Sequence, residues 1–123
     1  MLSIFIKEMR WMDSYTHIPQ GATPTHTFTL PFPTSLIARV KITYSQNDIE
    51  VFSKSTTDCS FDGNKIIVTL TQAETLMLNA RNFKGELSDT EIQIRVVTTN
   101  EDRAVVSKII KCDTYKALHK GVI

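Results

Sequence analysis

The segment QGATPTHTFTLPF at residues 20–32 places threonines at 23, 25, 27 and 29 around His26. Hydroxyls and an imidazole this close together could bind a metal ion or a sugar, or the hydroxyls could form the solvent-facing side of a strand. In THTFTL the threonines alternate with His26, Phe28 and Leu30, which is the period of a strand with one polar and one apolar face. No Asp, Glu, Cys or second His stands at ligand spacing nearby. We therefore interpret His26 as a structural histidine with one ring nitrogen bonded to a backbone carbonyl.

The rest of the chain carries no catalytic motif. It has no HExxH, GxSxG, GxxxxGK[ST] or GxGxxG pattern, and its histidines fall in three different segments, at His17, His26 and His119. In DCSFDGN, Asp58, Asp62 and Asn64 loosely resemble a calcium loop, but the later EF-hand ligands are missing, so a turn is the better interpretation. We predict that the protein is not an enzyme and has no catalytic, cofactor-binding or metal-binding residues and no cofactor.

Charge and composition argue against nucleic acids and membranes as classes of binding partner. Fourteen Lys and Arg balance thirteen Asp and Glu over 123 residues, which gives a formal net charge of +1 with the signs mixed along the chain. Such a chain has no long-range attraction for a polyanion, so a nucleic-acid partner is disfavoured. No stretch reaches the roughly 18 uninterrupted apolar residues of a membrane-spanning helix, so we expect no membrane partner.

The two cysteines, Cys59 and Cys112, lie far apart and outside any CxxC spacing. This spacing argues against a zinc knuckle or a thioredoxin-like pair. Reduced, buried thiols are the expected state, and a single disulfide is the alternative. A domain of this length can bury roughly two-thirds of its unfolded surface, so its core does not require a disulfide or a metal.

We predict that the first 19 residues lie outside the main domain. Apolar residues recur there at helical spacing, which predicts a short amphipathic helix with Leu2, Phe5, Ile6 and Met9 on one face. A disordered tail is the alternative, as is a true start at Met12. No positive region precedes the apolar residues and no A-x-A-like site follows them, so a signal peptide is not predicted. We place an N-terminal extension at residues 1–19 and one domain at residues 20–123.

From residue 25 onward the hydrophobic pattern has a period of two. The segments LIARVKITYS, KIIVTL and EIQIRVVT alternate apolar and polar residues, while IEVFSKS and AVVSKIIKC are enriched in β-branched residues. The clusters SQND, FDGN and TNED between them are typical of turns. Short strands joined in this way predict an all-β sandwich or a small barrel. The residues predicted to point inward are Ala38, Val40, Ile42, Tyr44, Ile66, Val68, Leu70, Ile92, Ile94 and Val96.

One segment interrupts the β pattern. TQAETLMLNA begins with Thr71 and has Glu74 three residues on, a capping box in which each side chain bonds the other residue's backbone N–H. The spacing that follows predicts one amphipathic helix of two to three turns that closes an end of the fold, with Ala73, Leu76, Met77 and Ala80 in the core. Gly85, in the loop NFKGELSD, is the predicted helix-stop or turn residue.

Two surface features also follow from the pattern. Pro24 and Pro31 flank the strand at residues 25–30, and because proline donates no ladder hydrogen bond, they predict an edge strand. Arg39, Lys41 and Arg95 would share an outer face if their strands are neighbours. We interpret that face as solvated.

The order of several segments resembles that of a group of small prophage-encoded proteins of Firmicutes. The shared order is QGATPTHTFTLPF, ITYSQND, VTLTQAETL and EIQIRVVT, with a closing GVI. More distantly, the chain is similar to the N-terminal β-sandwich module of phage baseplate upper proteins. The resemblance covers about residues 20–123 and implies an immunoglobulin-like sandwich in a phage tail, baseplate or neighbouring virion structure, made in the bacterial cytoplasm before assembly. Such proteins usually begin a few residues before the QG, which sets residues 1–19 apart.

Two classes of function stay open. The first is a non-enzymatic virion structural or adaptor protein that binds other phage structural proteins, and possibly itself, through strand edges and the outward residues Ile67 and Val97. The second is a ligand-binding module for a host-surface carbohydrate. Sugar sites use exposed aromatic rings, and the few aromatic residues fall mostly on predicted core faces, so we favour assembly.

Overall fold

Two sheets make up the computed structural model, which describes residues 17–80, 89–99 and 103–123. The larger sheet contains, in spatial order, β1 (His17–Pro19), β9 (Ile110–Tyr115), β7 (Asp89–Thr98), β3 (Ile37–Gln46) and β4 (Ile49–Ser55), and β8 (Ala104–Val106) also pairs with β7. The smaller sheet contains β2 (Thr25–Thr29), β6 (Lys65–Thr69) and β5 (Cys59–Asp62). All these pairings are antiparallel except that of β1 with β9. The predicted all-β sandwich is confirmed.

The core lies between the inward faces of the two sheets. The smaller sheet contributes Phe28, Ile66 and Val68, and the strands β3 and β7 of the larger sheet contribute an alternating set that includes Ile42 and Ile94. Burying each such side chain contributes about 1.5–3 kcal/mol to folding. Of the residues predicted to point inward, nine are buried as expected: Val40, Ile42, Tyr44, Ile66, Val68, Leu70, Ile92, Ile94 and Val96.

Ala38 is the exception, and its predicted inward orientation is wrong. The residue is exposed, and the register between β3 and β7 shifts between Ile37 and Arg39. An extra residue on one strand of an antiparallel pair is a β-bulge, which interrupts the alternation of side chains. The strict period of two therefore holds only from Arg39 onward.

The predicted capping box is confirmed. Thr71 Oγ1 accepts a hydrogen bond from the Glu74 backbone N–H at 3.1 Å, and the Thr71 N–H donates to Glu74 Oε1 at 2.8 Å. The helix that follows, α1 (Gln72–Leu76), is shorter than the two to three turns that were predicted.

The predicted apolar face of α1 is largely wrong. Met77 is 52% exposed, Ala73 is exposed and Leu76 is half-buried, whereas Thr75 is fully buried. The Thr75 hydroxyl lies 2.9 Å from both the Gly21 N–H, from which it accepts, and the Ala22 carbonyl. Because the helix ends here, helical spacing no longer applies, and the chain turns so that Leu78 and Ala80 enter the interior.

The segment AVVSKIIKC forms two strands instead of the single predicted one. Ser107, between β8 and β9, places its hydroxyl 2.9 Å from the backbone N–H of Ile94 and accepts a hydrogen bond from it. The Ser107 hydroxyl thus accepts the hydrogen bond that a backbone carbonyl of a paired strand would otherwise accept. The regular strand β8 therefore ends before Ser107.

The turns and the start of the first strand can also be compared with the sequence-based predictions. Asn47 and Asp48 both have positive φ (52° and 62°), as a two-residue hairpin turn requires, and Gly63 (φ 62°) provides the turn between β5 and β6. Cys59–Asp62 is a strand, so the predicted turn over DCSFDGN is confined to its end. β1 begins the larger sheet at His17, before the predicted boundary at residue 20.

The predicted N-terminal helix, the loop around Gly85 and most of the TNED turn lie outside the described residues. Within the described part of the chain, no helix has the length and hydrophobicity that a bilayer crossing requires.

Candidate functional site

The histidine of the threonine-rich segment lies in the core. His26 is fully buried, with Nδ1 2.8 Å from the hydroxyl of Tyr44, and its ring stacks on that of Tyr44 with centroids 5.8 Å apart. The predicted backbone-carbonyl partner is therefore wrong, since a tyrosine hydroxyl takes that position. Burial lowers the pKa of His26 to about 4, so the imidazole is neutral at pH 7. The threonines of β2 lie on the opposite face, so this segment does not bring hydroxyls and imidazole into one site.

The other residues that suggested chemistry are also separate. Cys59 on β5 and Cys112 on β9 belong to different sheets and are thiols, not a disulfide. Burial raises the pKa of each to about 11. The Asp58 carboxylate accepts hydrogen bonds from the Ser55 backbone and hydroxyl, which lower its pKa. Across residues 17–80, 89–99 and 103–123, no group of three or more His, Cys, Asp or Glu side chains could hold a metal ion.

A groove on the outer face of the larger sheet is the strongest candidate. β3 and β7 are neighbours, so Arg39, Lys41 and Arg95 do share one face, and Lys41 stands directly opposite Arg95 in the register. The groove has a volume of about 480 Å³. Its described lining is Arg39, Val40, Lys41, Ser55, Thr56, Arg95, Val97 and Ala104.

The hydroxyls beside the groove are already engaged. Thr56 Oγ1 accepts a hydrogen bond from the Val40 N–H at 2.9 Å, and Ser55 Oγ donates to Asp58 Oδ2 at 3.2 Å. These bonds hold the short 3-10 helix at Thr56–Asp58, which connects β4 to β5. The donors considered for a ligand are therefore the side chains of Lys41 and Arg95.

No described carboxylate neutralises the central cations. Among the described residues, Lys41 and Arg95 form no ion pair. Along β7 the nearest acid on the same face is Glu91, four residues from Arg95, which corresponds to about 13 Å at about 3.3 Å per strand residue. That separation exceeds the Debye length of about 8 Å at physiological salt. The described lining of the groove therefore contains cations and no carboxylate, although Asp58 lies beside it through its hydrogen bonds to Ser55.

A second depression, of about 410 Å³, lies next to α1. Its described lining contains neither an aromatic nor a charged side chain: Thr23, Thr69, Leu70, Thr71, Gln72, Ala73 and Val122. The Gln72 side chain bonds the backbone of Ile123 twice, at 2.9 and 3.3 Å, and so holds the C-terminal residues beside this depression. Because its described lining has no charged side chain, it offers a ligand fewer specific contacts than the groove on the larger sheet, which we call the basic groove.

Exposed aromatic rings are scarce in the described part of the chain. Phe61 on β5 is 39% exposed and Tyr115 on β9 is 52% exposed, and the two belong to different sheets. Phe28, Tyr44 and Phe52 are buried. The described residues therefore present no pair of exposed rings on one sheet for stacking a sugar.

The predicted outward residues separate between the two sheets. Val97 lines the basic groove, whereas Ile67 lies half-buried on β6 of the smaller sheet. The predicted edge position of the strand between Pro24 and Pro31 is confirmed, since among the described strands β2 pairs with β6 alone. Sequence reasoning missed Ser55, Thr56 and Ala104, because they reach the groove through pairings of β4 and β8 that no local pattern encodes.

Comparison with protein-family models, with curated proteins and with solved structures finds no match for the chain.

Proposed function

We propose that the chain is a non-enzymatic assembly module, a structural or adaptor protein of a phage tail or baseplate that acts by binding other virion proteins. The observation that carries the proposal is the outer groove, where Val97 lies beside the cross-strand cations Lys41 and Arg95. A protein-protein contact usually has an apolar centre and a polar rim. The resemblance of residues 20–123 to prophage-encoded proteins supplies the biological setting.

The strand edges limit how such contacts can form. β2, at an edge of the smaller sheet, is bracketed by Pro24 and Pro31, and β4, at an edge of the larger sheet, carries Lys54 as an inward-pointing charge. Both features discourage pairing of sheets edge to edge. We therefore assign binding to a sheet face rather than to addition of a strand at these two edges.

The proposal is tested by separating assembly from ligand binding. Size-exclusion chromatography with light scattering would follow mixtures of the protein with tail proteins encoded beside it, while a glycan array and elemental analysis would examine the protein alone. We expect a stoichiometric complex, no saturable glycan signal and no bound metal. A glycan signal that saturates without any tail protein would contradict assembly and favour carbohydrate recognition.

A further inference from the structure

We propose that the basic groove binds an extended acidic segment of the partner protein, with its carboxylates on Lys41 and Arg95 and its small apolar side chains on Val97 and Ala104. This inference rests on the proposed function and names the kind of contact by which it would operate.

The pair of facing cations lowers the stability of the sheet. Lys41 and Arg95 are directly opposed across β3 and β7, where Cβ atoms lie about 4.5–5.5 Å apart. Like charges at that position destabilise a sheet, and no described carboxylate forms an ion pair with either side chain. A local arrangement that lowers stability without compensation within the fold is expected at a binding site. A bound carboxylate would remove the repulsion.

The size and composition of the groove also favour a peptide ligand. Its volume of about 480 Å³ exceeds that of a single inorganic anion, and part of its lining is apolar, from the outward side chains of Val97 and Ala104. A ligand that fills it therefore needs both anionic and apolar groups. A peptide that alternates acidic and small apolar side chains meets both needs.

Charge balance argues against a nucleic acid in the same groove. Binding to nucleic acid depends on many simultaneous phosphate contacts, whereas the net charge of the chain is only +1. The two cations that carry this proposal suit a short carboxylate segment better than a polyanion.

Asp58 determines which side of the groove the acidic groups should occupy. Its carboxylate is bonded to Ser55, at the β4 side of the groove, and would repel another carboxylate there. The acidic side chains of the segment should therefore lie toward Arg95, with Lys41 between them and Asp58.

The direct test is fluorescence anisotropy of the full chain with a short labelled peptide of alternating aspartate and alanine. We expect saturable binding that weakens as salt is raised, and no binding of the matching asparagine-alanine peptide. Lys41→Gln and Arg95→Gln should each weaken binding about tenfold, the loss of one charge-assisted hydrogen bond. Lys116→Gln, which removes an exposed charge outside the groove lining, is the matched control and should leave binding unchanged.

Arg95→Glu gives a second test, in which a loss of peptide binding cannot be explained by a loss of stability. The substitution places opposite charges across β3 and β7, so the melting temperature should rise by about 2–4 °C while peptide binding is lost. The proposal is overturned if the wild-type chain does not bind the aspartate peptide, or if Lys116→Gln weakens binding as much as Lys41→Gln. It is also overturned if a single-stranded oligonucleotide binds at least as tightly and loses binding in the same variants.

Failure of this inference is distinguishable from failure of the proposed function. A tail-protein complex that survives Lys41→Gln and Arg95→Gln would place assembly on another surface and refute the groove. Peptide binding in the absence of any complex with tail proteins would support the groove and remove the phage setting.

Discussion

Nδ1 of His26 and the hydroxyl of Tyr44 lie 2.8 Å apart, so one hydrogen bond crosses the core from an edge strand of the smaller sheet to β3 in the larger one. Tyr44 stacks in turn on Phe52 of β4, with ring centroids 4.6 Å apart. The histidine in the threonine-rich segment therefore fixes one sheet against the other. A polar pair in the core orients the sheets more strictly than apolar contact, which has no direction.

The His26 pair predicts a pH dependence of stability. Burial lowers the pKa of folded His26 to about 4, below its usual value of about 6.5, so between these values the unfolded chain binds the proton more strongly. The contribution is fully present above pH 6.5 and should fall by up to about 1.4 kcal/mol per pH unit as the pH drops toward 4. Urea titrations across this range would measure it.

The matched controls for that titration are His26→Gln and His119→Gln. The first should remove the extra slope that the histidine contributes, and the second, at an exposed position, should keep it. An identical pH profile for the wild type and His26→Gln would show that His26 titrates normally in the folded protein.

The ion pair between Lys54 and Glu74 predicts an asymmetric response to mutation. The two groups are 2.7 Å apart, with side chains 7% and 21% exposed. Glu74→Gln keeps an acceptor for the Thr71 N–H but leaves a buried ammonium without its carboxylate, so it should cost about 2–3 kcal/mol. Lys54→Met should cost less than about 1 kcal/mol, because the remaining carboxylate is partly hydrated and still accepts from Thr71.

Chemical denaturation of both variants would decide between these costs, with Glu50→Gln as the exposed control. If Lys54→Met and Glu74→Gln lower the free energy of unfolding equally, the stabilisation comes from the ion pair itself. Leaving the Lys54 ammonium buried without a partner would then not be the main effect.

The facing of β3 and β7 predicts which substitutions unfold the domain. Val40→Asp and Ile94→Asp place a charge between the sheets, where burial without a partner costs several kcal/mol, so either should unfold the protein. Arg39→Ala, one residue from Val40 on the exposed outer face, should cost less than about 1 kcal/mol, the upper range for the contacts of a surface charge. Circular dichroism and thermal melts would compare them, and equal losses would contradict the assigned faces.

We predict that the two cysteine thiols react slowly with thiol reagents in the folded protein. Burial raises the pKa of Cys59 and Cys112 to about 11, so at pH 8 very little of either is the reactive thiolate. Ellman's reagent should react with both only as the protein unfolds in urea. Rapid reaction of one thiol in the native protein would show that it is more exposed or more acidic than its position implies.

Local alternation was sufficient to predict most of the sandwich. Val40, Ile42, Ile92 and Ile94 were assigned correctly because each lies in a strand whose inner face is buried and whose outer face is wet. The capping box was also predictable, since Thr71 and Glu74 are only three residues apart.

The errors arise where tertiary contacts override the local pattern. Thr75 replaces apolar neighbours in the interior because its hydroxyl bonds residues 21 and 22, more than fifty positions away. Ser107 ends a strand by bonding Ile94, and the bulge at Ala38 depends on the pairing with β7. The groove likewise combines four strands, so the sequence predicted its cations only on the condition that β3 and β7 are neighbours.

The most direct test of the account is the mass of the complex formed with tail proteins encoded beside this chain, measured by light scattering on the size-exclusion peak. We predict a stoichiometric complex for the wild type and for Lys116→Gln, and separate elution of the components for Lys41→Gln combined with Arg95→Gln. A wild-type protein that elutes at its own mass of 13.9 kDa beside every tail protein would contradict assembly as its function.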